Sequence, residues 1–272
     1  MTEKRILVPV DFSEISQKVV NTAILLAIKM KMQITLLHVQ NEKKHANPYA
    51  LLKELSFLAN EELERPAFDF QVKEGNLFNA IKDESRNEKY GLMVVGSHGF
   101  KGVREKIFGT DILRLLKGIS VPALVIQDEF QITTHTFSKI LFPTGSHQGF
   151  DRQIKATIDL ASSMGSEIHL YTIEKPGVEF SSELRKNLKL AESEFMKHGI
   201  NYRKVAEAQT FYSVGFAKQI ITYAEKEEMD LIAIMANPTR EHHYIADADK
   251  VSLLTNSSSI PVLSANDKIN MP

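Results

Sequence analysis

The feature that most constrains this chain is that it is written twice. Lys4-Arg5-Ile6-Leu7-Val8-Pro9 recurs as Ser138-Lys139-Ile140-Leu141-Phe142-Pro143, a shift of 134 positions from Ile6 to Ile140. The same shift carries Ile24, Leu26, Ala27 and Met30 onto Ile158, Leu160, Ala161 and Met164, and then Ile34 and Leu36 onto Ile168 and Leu170. Farther along the shift becomes 139. Ile81 now falls on Ile220, Leu92 on Leu231, and Ser120, Pro122 and Leu124 on Ser259, Pro261 and Leu263. Five extra residues are therefore expected in the middle of the second copy, around a surface helix and its loops. A repeat of this period must fold as like units, and 272 residues is about the length of two domains.

Composition narrows the function classes. The chain is 43% hydrophobic and 25% charged, with a net charge of −1 and no long run of either sign. A dedicated nucleic-acid surface needs a clustered basic patch, so none is expected. The absence of cysteine excludes disulfides, thiolate metal sites and cysteine nucleophiles. The longest apolar stretch, around Ala23 to Met32, is broken by Lys29 and Lys31 and is too short to span a bilayer. With no signal-peptide pattern before the first apolar run, a cytoplasmic location without membrane attachment is the expectation.

Each copy alternates strand and helix. In the first, Arg5–Val10 reads as a buried strand. A helix follows with Ile15, Val19, Ala23, Leu26 and Met30 on one face. Gln33–Val39 is a second strand, Leu51–Leu63 a second helix closed before Pro66, and Phe68–Lys73 a more exposed strand. Asn76 is placed to cap a third helix carrying Leu77, Ala80 and Ile81 and ending near Gly91. Leu92–Val95 is a buried strand, Thr110–Lys117 the last helix and Ala123–Ile126 the closing strand. Gln127–Phe137 reads as a polar linker. Such alternation implies a doubly wound parallel sheet with helices on both faces, repeated in tandem.

Ligands of doubly wound sheets bind beyond the carboxyl ends of the strands, where strand order reverses. After the fourth strand stands Gly96-Ser97-His98-Gly99, followed nine residues later by Gly109-Thr110 opening a helix. Glycines let backbone approach a ligand closely, and a helix start aims its free amides at a phosphate. Thr110 adds a hydroxyl for a phosphate or for a phosphate-bound Mg²⁺. Asp11-Phe12-Ser13-Glu14 after the first strand also fits a capping box, with Asp11 as N-cap. His98 has no second ligand at metal spacing. Lys101, Arg104 and Lys106 read as a solvated loop, His242-His243 as surface, and Met30, Met32 and Met164 as core.

The pattern G-x2-G-x9-G-T, together with Ile-Leu-Val-Pro-Val-Asp, Leu-Leu-His-Val and Val-Val-Gly-Ser-His-Gly, resembles the ATP-binding members of the universal stress protein family. The resemblance covers both copies. It implies two tandem Rossmann-like domains of the adenine nucleotide alpha hydrolase-like kind, 1–127 with an intact motif and 138–268 degenerate. It further implies that Pro9, Val10 and Asp11 border the adenosine, and that Val39 lines the adenine. Gly96, Ser97, His98 and Gly99 would border the ribose and phosphates, with Gly109, Thr110 and Asp111 at the phosphate tail. ATP is the implied cofactor, with Mg²⁺ held through phosphates and Thr110. Asp111 departs from the small or neutral residue often found there.

The second copy has lost these groups. Asp11 becomes Gly145, Gly96 becomes Met235, Gly99 becomes Pro238, Gly109 becomes Ala248 and Thr110 becomes Asp249. The resemblance also implies that Ala123–Ile126 and Val262–Ala265 pair antiparallel, an intrachain pseudo-dimer that can associate further as a homodimer. A nucleotide-responsive stress regulator is the first functional reading. A nucleotide-independent adaptor and a slow ATP hydrolase are the rivals. The hydrolase has neither a P-loop nor a kinase glycine loop with its lysine, and no catalytic residue is assigned. An NAD-dependent oxidoreductase would need G-x-G-x-x-G where this chain has Val10-Asp11-Phe12-Ser13-Glu14-Ile15.

Overall fold

The structure is a computed structural model and describes residues 3–40, 47–57, 66–97, 109–133, 136–209, 215–239 and 246–269. The first half runs β1 (Arg5–Val10), α1 (Glu14–Met30), β2 (Gln33–Gln40), α2 (Pro48–Phe57), β3 (Phe68–Glu74), α3 (Leu77–Ser85), β4 (Tyr90–Gly96), α4 (Gly109–Leu116) and β5 (Ala123–Ile126). The second runs β6 (Lys139–Pro143), α5 (Phe150–Met164), β7 (Glu167–Glu174), α6 (Ser182–Lys197), β8 (Tyr202–Ala208), α7 (Phe216–Lys226), β9 (Leu231–Met235), α8 (Asp247–Leu254) and β10 (Val262–Ala265). The expected class, a tandem doubly wound α/β fold, is what forms.

All ten strands share one sheet in the order β3-β2-β1-β4-β5-β10-β9-β6-β7-β8. Pairing is parallel within each half and antiparallel where β5 meets β10. That seam has Leu124 opposite Leu263, flanked by Val125 with Val262 and Ala123 with Ser264. Leu124 and Leu263 are repeat counterparts, so the local two-fold axis passes between them. Period-two alternation sorts each strand onto both faces. Ile6, Val8 and Val10 point to one apolar layer with α1 and α5, while Leu7 points to the other with α4 and α8. Each layer draws residues from both halves, so neither core stops at the seam.

Several boundaries differ from the sequence reading. Helix α2 starts at Pro48, not Leu51, because Asn47 accepts the Ala50 amide through Oδ1 (3.2 Å) and proline suits the first helical position. Its expected extension to Leu63 passes outside the described residues. Asn76 does cap α3, accepting the Asn79 amide at 3.1 Å. That helix ends at Ser85, well before Gly91, because Asn87 turns back to the Glu84 carbonyl and Tyr90 to that of Asn87.

The five extra residues also lie elsewhere than expected. The shift of 134 persists through β3 and β8, and α2 and α6 begin at equivalent positions, Pro48 and Ser182. Between β3 and α3 there are only Gly75 and Asn76, whereas 209–215 separate β8 from α7. The five residues therefore enter between β8 and α7, and the surface helix keeps its place. The linker is likewise less polar in effect than its composition suggests: Phe137 is fully buried and stacks on Phe130 with centroids 6.0 Å apart.

Candidate functional site

In the first half, β1 pairs with β2 on one side and β4 on the other, so strand order reverses between β1 and β4. Pro9 and Val10 are buried at the end of β1, with the Val10 carbonyl 3.0 Å from His38 Nδ1. Val39 is half-buried near the end of β2. Asp11 follows Val10 directly, and its carboxylate folds into its own loop. Oδ1 accepts the Ser13 amide (3.0 Å), the Ser13 hydroxyl (2.5 Å) and the Ser16 hydroxyl (3.0 Å). This corrects the capping-box reading: the N-cap is Ser13, and Asp11, two residues earlier, forms an Asx turn. The turn places Phe12 at φ 61° with its ring 4.6 Å from that of His38.

At the end of β4, Ser97 is fully buried and donates its amide to the Ile126 carbonyl (2.8 Å). A Cβ on Gly96 would lie 2.9 Å from Cδ1 of Ile15 on α1. Packing against the helix is therefore one demand on this glycine, separate from any ligand. In the repeat, Ile15 and Gly96 correspond to Gly149 and the buried Met235. Gly149 stands at φ 66°, where a Cβ would meet Arg152 and Asp267, so its glycine answers a different demand.

His98 and Gly99, with Lys101, Arg104 and Lys106, lie outside the described residues, as do His242 and His243. Gly109 opens α4, with Thr110 exposed and Asp111 half-buried in its first turn. Because α4 returns the chain to the start of β5, its first turn lies at the carboxyl edge of the sheet. A helix start there presents unbonded amides and the positive end of the dipole. Asp111 is an acid at that positive end, which favours the helix and opposes an incoming anion. The switch point thus brings Asp11, Gly96 and Ser97 onto neighbouring strands, with α4 starting on the same edge.

The second half fills the equivalent place with its own side chains. Asp249, the counterpart of Thr110, is buried and joins two helix starts. Its Oδ1 accepts the Ala217 amide of α7 (3.1 Å), and its Oδ2 accepts the Ala246 amide before α8 (3.0 Å). Gly215, at φ 24° before α7, makes this contact possible, since a Cβ there would fall 1.6 Å from Asp249 Oδ1. Lys250, the counterpart of Asp111, is fully buried. Its ammonium bonds the Ala236 and Asn237 carbonyls at 3.3 and 2.5 Å and pairs with Asp247 at 3.6 Å.

Burial pushes the Lys250 ammonium down to about 8. His147, the counterpart of Ser13, folds back over Gly145, where a Cβ would meet its ring at 3.0 Å. Burial, reinforced by the Lys250 charge, lowers this imidazole to about 3. The loop it stands on is pinned by Asn187 of α6, whose amide donates to the Gly145 and His147 carbonyls at 2.9 and 3.0 Å.

Sequence reasoning found Asp249 through its repeat position but missed Lys250 and His147. A lysine among Val251, Leu253 and Leu254 reads as an ordinary solvated helix residue, and a lone histidine carries no spacing signal. Among the described residues, no group of three or more histidine, aspartate or glutamate side chains could hold a metal ion. No helix among them is long and apolar enough to cross a membrane.

Strand order, the switch-point site and the antiparallel seam define a tandem doubly wound α/β protein. Residues 3–127 match the model of the universal stress protein family. A universal stress protein from Archaeoglobus fulgidus shares the fold at a TM-score of 0.64 with 19% identity, each chain covered over 96%. A functionally unknown protein from Pseudomonas aeruginosa gives 0.61 and 18%, covering 98% of this chain and 93% of that one. The cytoplasmic domain of a prokaryotic cation chloride cotransporter gives 0.56 and 12%, covering 98% and 96%. At these identities the likeness is one of fold. No curated protein matches the chain.

Proposed function

We propose that the chain binds ATP in its first half and acts as a cytoplasmic, nucleotide-responsive stress regulator. The observation that carries this reading is the contrast between the two helix starts. In the second half a carboxylate, Asp249, occupies the turn where α8 begins and bonds two backbone amides. That turn accepts an anion, and the first half keeps its equivalent at Gly109-Thr110 with no acidic side chain at the position of Asp249. An anionic group such as a triphosphate fits there, with the Thr110 hydroxyl beside it to bind phosphate or a phosphate-bound Mg²⁺.

The remaining roles rest on the family pattern. Pro9, Val10, Asp11 and Val39 would border the nucleoside, Gly96, Ser97, His98 and Gly99 the ribose and phosphates, and Gly109, Thr110 and Asp111 the phosphate tail. Residues 1–127 form the binding domain and 138–268 the degenerate one, which serves as its built-in partner across the β5–β10 seam. A nucleotide-independent adaptor is the second reading. It is favoured by one observation, that Asp11 already spends its Oδ1 on Ser13 and Ser16.

Mass spectrometry of the ligand retained through purification, together with titration by ATP, ADP and AMP, separates the two. Binding that Gly109→Asp abolishes and Ala248→Asp leaves intact supports the regulator. No retained nucleotide and no thermal shift with any of the three overturns it. Equal losses from both variants overturn the asymmetry.

A further inference from the structure

The opposite edge of the sheet holds a cavity that the nucleotide reading does not use. It has a volume of about 480 Å³, within the range of small-molecule sites. It lies where the amino-terminal ends of β1, β4 and β5 face α5 of the other half. Its floor is apolar, with Met30, Met32, Tyr90, Leu160 and Ile269 among the lining residues. Lys4, Arg86, Arg152 and Lys155 line it with Glu88 and Asp159; Lys155 pairs with Asp159 (3.1 Å), Arg152 with Asp151 (3.3 Å) and Arg86 with Asp83 (2.7 Å).

At the matching place across the local two-fold axis, described linker residues bond α1 and the residue before β7. Arg152 donates through Nε to the Ile269 carbonyl (3.0 Å), and its counterpart Lys18 donates to the Asp128 carbonyl. Met32 lines the cavity, and its counterpart Ser166 donates to the Phe137 carbonyl (2.5 Å). The chain leaving β5 thus stacks Phe130, the repeat counterpart of the cavity-lining Ile269, on Phe137 just before β6. The position of Phe130 is taken after β10 by Ile269, which offers no ring.

We propose that the cavity binds a small aromatic carboxylate. The ring would lie beside Ile269, against Tyr90 and the two methionine thioethers, which favour aromatic contact. The carboxylate would face Lys4 and Arg152, whose guanidinium holds the Ile269 carbonyl through Nε and Asp151 through Nη1 and keeps Nη2 as a further donor.

The test uses naphthoate and the matching neutral naphthyl alcohol as probes on the full chain, by calorimetry and by methyl NMR of the methionines. Naphthoate is expected to bind one site at least about tenfold more tightly than the alcohol, a difference of about 1.4 kcal/mol. The Met30 and Met32 methyl signals should shift while that of Met93 holds. Ala156→Phe fills the cavity from α5 and should abolish binding, with ATP binding unchanged. Should that variant fail to fold, Arg152→Gln with Lys155→Gln decides by bringing acid and alcohol to parity. No binding, parity in the unmodified protein, or a preference that survives the double variant overturns the proposal.

Discussion

Gln127 and Asn266 occupy equivalent positions one residue beyond β5 and β10, and each donates its side-chain amide to the last helix of the opposite half. Asn266 Nδ2 reaches the Leu116 and Ile119 carbonyls at 2.6 and 2.9 Å, and Gln127 Nε2 reaches the Leu254 carbonyl at 3.3 Å. Both side chains are buried. The seam is therefore held by exchanged caps as well as by the ladder. Lys117 adds an ion pair to Asp247 (2.6 Å), tying the end of α4 to the start of α8.

Removing these caps should cost unequally. Asn266→Ala leaves two buried carbonyls without that donor and is expected to lower stability by ~2–3 kcal/mol. Gln127→Ala removes one longer bond and should cost ~1 kcal/mol. Urea unfolding of both variants measures the order, and a larger loss at Gln127 contradicts it.

The Asp249 contact makes a paired prediction. Asp249→Ala deprives two helix starts of their shared acceptor and should destabilise by ~2 kcal/mol. Thr110→Asp places a carboxylate at the matching position of the first half. It should leave the melting temperature near that of the parent while weakening ATP binding by at least about tenfold, through like-charge repulsion. Undiminished ATP affinity in Thr110→Asp would place the phosphates elsewhere.

The close approach of Ile15 to Gly96 can be tested as a cycle. Gly96→Met alone should cost ~2 kcal/mol by overpacking against Ile15. Combined with Ile15→Ala, it should cost less than the sum of the single changes by ~1 kcal/mol or more. Additive losses would mean that the two side chains do not share space.

The buried bases of the second half set a pH signature. Lys250 binds its proton less tightly when folded (about 8) than at its ordinary 10.5. Between those values the unfolded chain carries more protons, so stability rises with pH there, and the penalty is fully present below about 8. Relative to Lys250→Met, the parent should gain on the order of 3 kcal/mol across the window. His147 acts in the same direction at lower pH. It is neutral when folded and takes a proton at 6.5 when unfolded, so stability falls as pH drops from 6.5 towards about 3. His147→Gln should flatten that acid limb in denaturation measured across the range.

Much of the architecture was legible because the core repeats. Arg5–Val10, Ala123–Ile126 and Val262–Ala265 come out with the bounds read from the sequence, since buried apolar runs ended by turn residues leave little freedom. The helix start after β1 was misread because Asp-x-Ser-Glu suits both a capping box and an Asx turn. The Ser13 amide and the Ser13 and Ser16 hydroxyls together draw Asp11 into the latter. The insertion was misplaced because edge strands and loops hold few apolar markers by which to fix the shift. Lys250 and His147 stayed invisible because their burial depends on Asn237 and Asn187, distant in sequence.

The Leu124–Leu263 pairing has a consequence for how this protein can change. In a symmetric pair of separate chains, every substitution at such a contact is made twice and must suit itself. Here each side is encoded once, and the covalent link keeps the local concentration of the partner high whatever the protein's abundance. Leu263 can therefore drift while Leu124 stays fixed, and one half can give up a pocket without the other following.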